Sequence, residues 1–142
     1  MEEMTQEEYK VFMLDGTKTG KLATVRRDGR PHVVPIWYDL DGDDIIFQTG
    51  ANSVKANNMK RDPRVSITVD DQEPPYSYVQ IEGTVTFSDN IEHMLYWATK
   101  IGGRYMGEDQ AEAFGRRNAV PGEILVRLKP NKILAYRDVT GW

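Results

Sequence analysis

Hydrophobic positions along the chain recur at two different periods, and the change from one to the other marks its elements. From Gly20 to Arg27 the chain alternates, with Leu22 and Thr24 on one side and Ala23 and Val25 on the other, and partner runs follow from Pro31 to Tyr38 and from Asp44 to Thr49. That period predicts strands. Asp28-Gly29 favours a tight hairpin turn between the first two, and Asp39 to Asp43 carries the second reversal. Further strands are expected at Arg64 to Asp70, Tyr76 to Phe87, Glu123 to Leu128 and Lys132 to Val139, with a turn at Lys129-Pro130-Asn131 dividing the last two. On the Tyr76 strand, Tyr78, Gln80 and Glu82 share one face and Val79 and Ile81 the other, while Gly83 marks a bulge or a close backbone approach.

Helical spacing appears elsewhere. Thr5 and Glu8 form a capping box ahead of Tyr9, Phe12 and Met13, predicting a short helix that ends near Asp15-Gly16. Asn52 or Ser53 is placed to cap a second helix, closed by Asp62-Pro63. Asp89 is expected to cap a third, whose Ile91, Met94, Leu95 and Ala98 form a buried stripe and whose end falls at Gly102-Gly103. A fourth, from Asp109 to Arg117, turns Ala113 inward, and Pro121-Gly122 makes a turn.

About seven strands with sequential neighbours and peripheral short helices describe a mainly β, α+β protein. An antiparallel sheet that curls and closes into a barrel is the expected solution, because closure removes exposed edges. Pro35 implies an edge, a bulge or a break in its strand, since proline donates no ladder hydrogen bond.

The length of 142 residues suits one domain with a real core, and residues 1–142 are expected to form it. With no cysteine, disulfides and thiolate chemistry are excluded. The acidic start MEEMTQEEYK is unlike a signal peptide, and no apolar run approaches the roughly 18 residues of a membrane span. A cytoplasmic protein is expected. The formal charge of −4 argues against general nucleic-acid binding, which needs a basic face.

The segment from Ile45 to Val69 concentrates the candidate chemistry. Its loop Thr49-Gly50-Ala51-Asn52-Ser53 leads into a helix N-terminus, where unpaired N–H groups and the helix dipole attract an anion. Lys55, Lys60, Arg61 and Arg64 add positive charge to an otherwise acidic chain. The alternative is a capped surface helix with solvated lysines. Other motifs fail: Gly16 to Lys21 has three residues between its glycines where a phosphate loop needs four, and no Gly-x-Ser-x-Gly elbow occurs. His32 and His93 stand too far apart to suggest a metal site. An anion cradle with no visible acid–base pair suits a protein whose cofactor performs the chemistry.

The run Thr49-Gly50-Ala51-Asn52-Ser53-Val54-Lys55, with Asn57-Asn58-Met59 and Asp62-Pro63-Arg64-Val65, resembles the cofactor-phosphate segment of the pyridoxamine 5′-phosphate oxidase-like split β-barrels. Gly20 to Val25 with Asp28 to Tyr38 is similar to that family's opening hairpin, and Val79 to Val85 to its long barrel strand. The wording Val34-Pro35-Ile36-Trp37-Tyr38 resembles the branch that uses the deazaflavin coenzyme F420 in place of FMN. Where the oxidase proper carries an Arg-x-Val-Leu-Leu-Lys strand and an arginine before its phosphate lysine, this chain has Val33 to Tyr38 and Val54. Those departures point away from pyridoxamine phosphate oxidation.

The resemblance implies residue roles. Ser53 and Lys55 would bind the cofactor phosphate with Thr49 near it, and Val34, Pro35 and Ile36 would offer backbone groups to the ring system. Tyr78 and Gln80 would reach the cofactor from the second subunit of a homodimer whose sites lie at the interface. Lys60, Arg61 and Arg64 would meet the acidic tail of the deazaflavin by charge complementarity. The implied activity is hydride transfer from reduced F420 to an electron-poor conjugated small molecule, with Trp37, Tyr78, Tyr105 and Trp142 as candidate pocket walls. An FMN-dependent oxidoreductase and a non-catalytic flavin carrier are the alternatives.

Overall fold

The computed structural model describes residues 1–141. Its strands are β1 (Glu2–Glu3), β2 (Gly20–Val25), β3 (Pro31–Ile36), β4 (Asp39–Asp41), β5 (Asp44–Gly50), β6 (Arg64–Asp70), β7 (Tyr78–Ser88) and β8 (Glu123–Arg137). The helices are α1 (Gln6–Leu14), α2 (Val54–Arg61), α3 (Ile91–Met106) and α4 (Ala111–Asn118). Among the described residues, no helix is long and apolar enough to cross a membrane.

All the ladders are antiparallel and follow the order β3-β2-β6-β7-β8-β5-β4, with β1 added to β8. This is an antiparallel split barrel. The expected closure is not made: β3 and β4 are the outer strands of the path, and no ladder joins them. They are nevertheless consecutive in the chain, and Trp37-Tyr38 forms the corner between them. Helices fill the interior, because Tyr9 and Met13 of α1 and Met59 of α2 join Leu22, Phe47, Ile67, Ile81 and Leu128 in one buried cluster.

Burial follows the strand alternation wherever only one face is covered. Val65, Ile67 and Val69 of β6 and Val79, Ile81 and Val85 of β7 point inward, while Ser66, Thr68, Gln80 and Glu82 point away. On β5 both faces are covered. Ile45 and Phe47 enter the barrel, and Ile46 packs outside it under Met94, Trp97 and Ile101 of α3. Each such side chain contributes roughly 1.5–3 kcal/mol through area removed from water.

Several boundaries differ from the sequence reading, each for a physical reason. The turn expected at Pro130 is absent, and β8 runs through it. The pairing shifts between Glu82↔Lys132 and Gly83↔Pro130, so a bulge at Asn131 accommodates a residue that cannot donate to the ladder. Gly83 permits it, since a Cβ there would lie 2.3 Å from the Lys129 carbonyl oxygen. Helix α3 passes through Gly102-Gly103 to Met106 because these are packing glycines: a Cβ on Gly102 would sit 2.5 Å from the Cβ of Phe114. The α3 cap is Asn90 and not Asp89, its side chain accepting from the His93 N–H at 3.0 Å. On α4, Ala111 and Gly115 face inward and Ala113 is exposed, because the helix begins at Ala111. The expected β3 strand stops at Ile36, before the corner, and part of the expected Asp39–Asp43 turn is the short strand β4. Pro35 lies on an outer strand, where its missing donor faces no neighbour.

Candidate functional site

Ser53 is the N-cap of α2, and its Oγ accepts from the Ala56 N–H at 3.1 Å. The same oxygen lies 2.9 Å from Thr49 Oγ1, so the buried threonine at the end of β5 orients the cap. Among the described residues, the N–H groups of Val54 and Lys55 have no partner. Backbone donors and the positive dipole end therefore face the same corner.

The nearby cations are not equivalent. Lys60 Nζ donates to the Ala51 carbonyl at 2.6 Å and closes the loop onto the helix. Arg61 donates to the Val25 carbonyl and to Asn58 Oδ1. Arg64 grips Asp62 through Nε at 2.9 Å and Nη2 at 2.8 Å, which with the Arg64 backbone N–H holds the Asp62 carboxyl down to about 2. Lys55 alone of these four has no hydrogen bond or ion pair among the described residues.

Lys55 opens onto a cleft of about 280 Å³ whose other walls are Pro35, Ile36 and Trp37, Gln48 and Asn118, and Ala98, Ile101 and Gly102 of α3. The cleft lies beside the Trp37-Tyr38 corner, where the barrel is split. Gln48 Nε2 donates to the Asn118 carbonyl at 3.0 Å, which turns Oε1 away, and that buried oxygen has no partner among the described residues. A single cation, free backbone donors and an apolar floor fit a group with an anionic end and a flat body.

The corner itself is held from behind. Trp37 stacks on Tyr105 with ring centroids 5.1 Å apart and planes 3° from parallel. The Tyr105 hydroxyl donates to the Lys18 carbonyl at 2.7 Å and accepts from the Tyr38 N–H at 3.4 Å. The Arg104 guanidinium lies over both tyrosine rings and donates to the carbonyls of Tyr38 and of Met13. The Tyr38 hydroxyl also donates to the Met13 carbonyl. Burial pushes the Tyr38 and Tyr105 hydroxyls above their ordinary range, so both remain neutral donors.

A family model described as pyridoxamine 5′-phosphate oxidase matches residues 5–136. The chain belongs to this family. Among solved structures, a conserved hypothetical protein from Mycobacterium tuberculosis is similar at 27% identity and a TM-score of 0.85, covering 98% of this chain and 89% of that one. An F420 reductase is similar at 26% identity and a TM-score of 0.69, covering 87% and 94%. A heme storage protein from Vibrio cholerae shares the fold at 21% identity and a TM-score of 0.71, covering 92% and 94%.

For a member of the pyridoxamine 5′-phosphate oxidase family, the sequence-expected residues fall into separate groups. Pro35, Ile36 and Lys55 line the cleft, and Ser53 and Thr49 stand behind the start of α2. Val34 is half-buried and points into the barrel beside Leu22. Lys60 is turned back to its own loop. Tyr78 and Gln80 lie on the half-exposed outer face of β7, opposite Asp70 and Thr68, and do not line this cleft. Of the candidate walls, Trp37 lines the cleft, Tyr105 lies behind it, Tyr78 packs near Tyr136, and Trp142 falls outside the described residues.

Sequence reasoning missed Gln48, Asn118, Ala98 and Ile101. Only Gln48 carried a signal, as a polar residue between the apolar run Ile45-Ile46-Phe47 and Thr49. The α3 and α4 residues reach the cleft by tertiary packing.

Proposed function

We propose that the protein is an oxidoreductase whose cleft holds the phosphate end of coenzyme F420, with FMN as the alternative cofactor. The observation that carries this is Lys55, a cation without a partner among the described residues, at a helix start with unpaired N–H groups and beside an aromatic corner. Likeness to an F420 reductase at 26% identity supports the choice of the deazaflavin.

When bound, the reduced deazaflavin supplies a hydride to an electron-poor conjugated small molecule. The chain's part is to bind, orient and exclude water. Lys55 and the Val54 and Lys55 N–H groups neutralise the phosphate, with Ser53 held in place by Thr49. Pro35 and Ile36, on an outer strand, offer backbone groups to the ring, and Val34 supports them from within the barrel. Ala98 and Ile101 keep water from the ring. In this reading a homodimer completes the site, with Tyr78 and Gln80 arriving from the second subunit, because their face is left half-exposed by their own chain. Lys60 meets the acidic tail only after releasing Ala51. The protein works in the cytoplasm, and its final proton comes from water.

Titrating the purified protein with F420 and with FMN, followed by fluorescence quenching, tests this. Tighter binding of F420, and its oxidation by a conjugated acceptor, is the expected result. Binding of FMN alone removes the deazaflavin, and F420 binding without turnover leaves a carrier.

A further inference from the structure

The outer face of β5 passes from a covered stretch into the cleft. Ile46 is buried under Met94, Trp97 and Ile101 of α3, and Gln48, the next residue on that face, lines the cleft together with Lys55. An aliphatic side chain would continue this packing, so the amide needs a reason. Half of one is visible: Gln48 Nε2 donates to the Asn118 carbonyl at 3.0 Å and ties β5 to the end of α4. That carbonyl can only accept, which fixes the orientation of the amide and leaves Oε1 over. The oxygen is shut off from solvent and has no donor among the described residues. A buried acceptor without a donor is destabilising. Such a group calls for a partner from outside the chain, and its place in the cleft makes that partner the bound molecule.

We propose that Gln48 Oε1 accepts a hydrogen bond from a hydroxyl on the chain that joins the phosphate of the bound cofactor to its ring. This rests on the cofactor reading above and adds to it a binding residue and a requirement on the ligand: a donor between its anionic end and its flat body. Placement supports the linker. Gln48 precedes Thr49, whose hydroxyl orients the Ser53 cap, and shares the cleft with Lys55, so it lies beside the anion corner. Pro35 and Ile36, which meet the ring, belong to another strand. Both F420 and FMN carry a polyhydroxylated chain between phosphate and ring. The last side-chain torsion of glutamine is broad, so the amide can tilt its oxygen towards the cleft while Nε2 keeps Asn118. A neutral amide suits this place, since a carboxylate here would repel the phosphate that Lys55 holds. Asn118 is a positioning residue, acting on the ligand only through Gln48.

The test is a binding cycle by equilibrium titration of the full chain. F420 and FMN are compared with analogues whose linker hydroxyls are replaced by hydrogen, on wild type and on Gln48→Met, which keeps the side chain's length and loses its oxygen. Removing the hydroxyls should weaken wild-type binding about threefold to tenfold. Gln48→Met should weaken binding of the parent cofactor by a similar factor, and hydroxyl removal should then cost little more. A purely structural role, through the tie to Asn118, would weaken both ligands equally, so additive losses overturn the proposal. Should Gln48→Met fail to fold, Gln48→Leu gives the same cycle, and wild type that binds both ligands of a pair equally overturns the proposal without any variant. A flavin methylated at the imide nitrogen is the control: a loss coupled to Gln48 there and not at the linker puts the donor on the ring and overturns the assignment. No binding of either cofactor by wild type removes the redox reading and this acceptor together, whereas cofactor binding with additive losses removes the acceptor alone.

Discussion

Asn58 Nδ2 donates to Thr24 Oγ1 at 3.0 Å, and both residues are buried. This bond ties α2, which carries Lys55, to the barrel wall at β2. Asn58 Oδ1 also accepts from Arg61 at 3.2 Å, so one side chain serves a strand and its own helix. The anion-facing end of α2 is therefore set by a contact about one turn further along the helix.

Asn58→Ala should destabilise the fold by about 1–3 kcal/mol, because the Thr24 hydroxyl is left buried without its donor. Cofactor affinity should fall with it. Pairing Asn58→Leu with Thr24→Val should recover much of the stability, since replacing both partners removes the desolvation penalty. Urea midpoints of the single and double variants check this, and additive losses would refute it.

Lys55→Ala separates binding from stability. The side chain has no partner among the described residues to lose, so the unfolding free energy should stay within about 0.5 kcal/mol of wild type. Cofactor affinity should weaken by roughly 1.5–3 kcal/mol, the scale of a hydrogen bond to a charged group. Lys60→Ala should cost less affinity, because Lys60 already donates to Ala51. Titration of the three proteins with one cofactor decides the order.

Gly102→Ala should destabilise despite alanine's higher helix propensity, worth about 1 kcal/mol. The new methyl would stand 2.5 Å from Phe114 Cβ, and forcing α3 from α4 costs about 1–3 kcal/mol. Trp37, braced by Phe114, should shift with it. Thermal unfolding and tryptophan emission report the two effects, and a raised Tm would contradict the packing argument.

Stability should fall at both ends of the pH scale. Asp62 has a folded value of about 2 against an ordinary 3.8, chiefly through Arg64's side-chain donors. Its contribution is complete above about pH 4 and is lost as pH falls towards 2. The contribution is small because the pair is exposed, and Asp62→Asn should flatten that limb. Tyr38 and Tyr105 are raised above 10.0, mainly by burial. Their contribution is complete below pH 10 and is lost as pH rises beyond it, so tyrosinate absorbance from these two should appear only with unfolding. Ionisation of both in the folded protein would contradict their burial.

Much of the strand pattern was legible because one-sided burial leaves a period of two, as in Ser66–Thr68 against Ile67–Val69. Capping was legible where it is local: Thr5 with Glu8, and Ser53 with Ala56. Gly102-Gly103 misled because the same residue ends a helix or admits another one, and only Phe114's position distinguishes the two. Pro130 misled similarly, since a bulge opposite Gly83 tolerates it in mid-strand.

For the site, local sequence was enough to place a capped helix with Lys55 after β5, because a loop, a cap and a cation lie within a few neighbouring residues. It could not say that Lys60, Arg61 and Arg64 are already engaged, nor that Gln48, Ile101 and Asn118 meet at one cleft. Those contacts join segments that only the packing of α3 and α4 against β5 brings together. The chain's periodicity determined which faces are buried; the order in which the strands pair decided that the barrel stays split at Trp37-Tyr38, because neither edge strand offers the other a ladder.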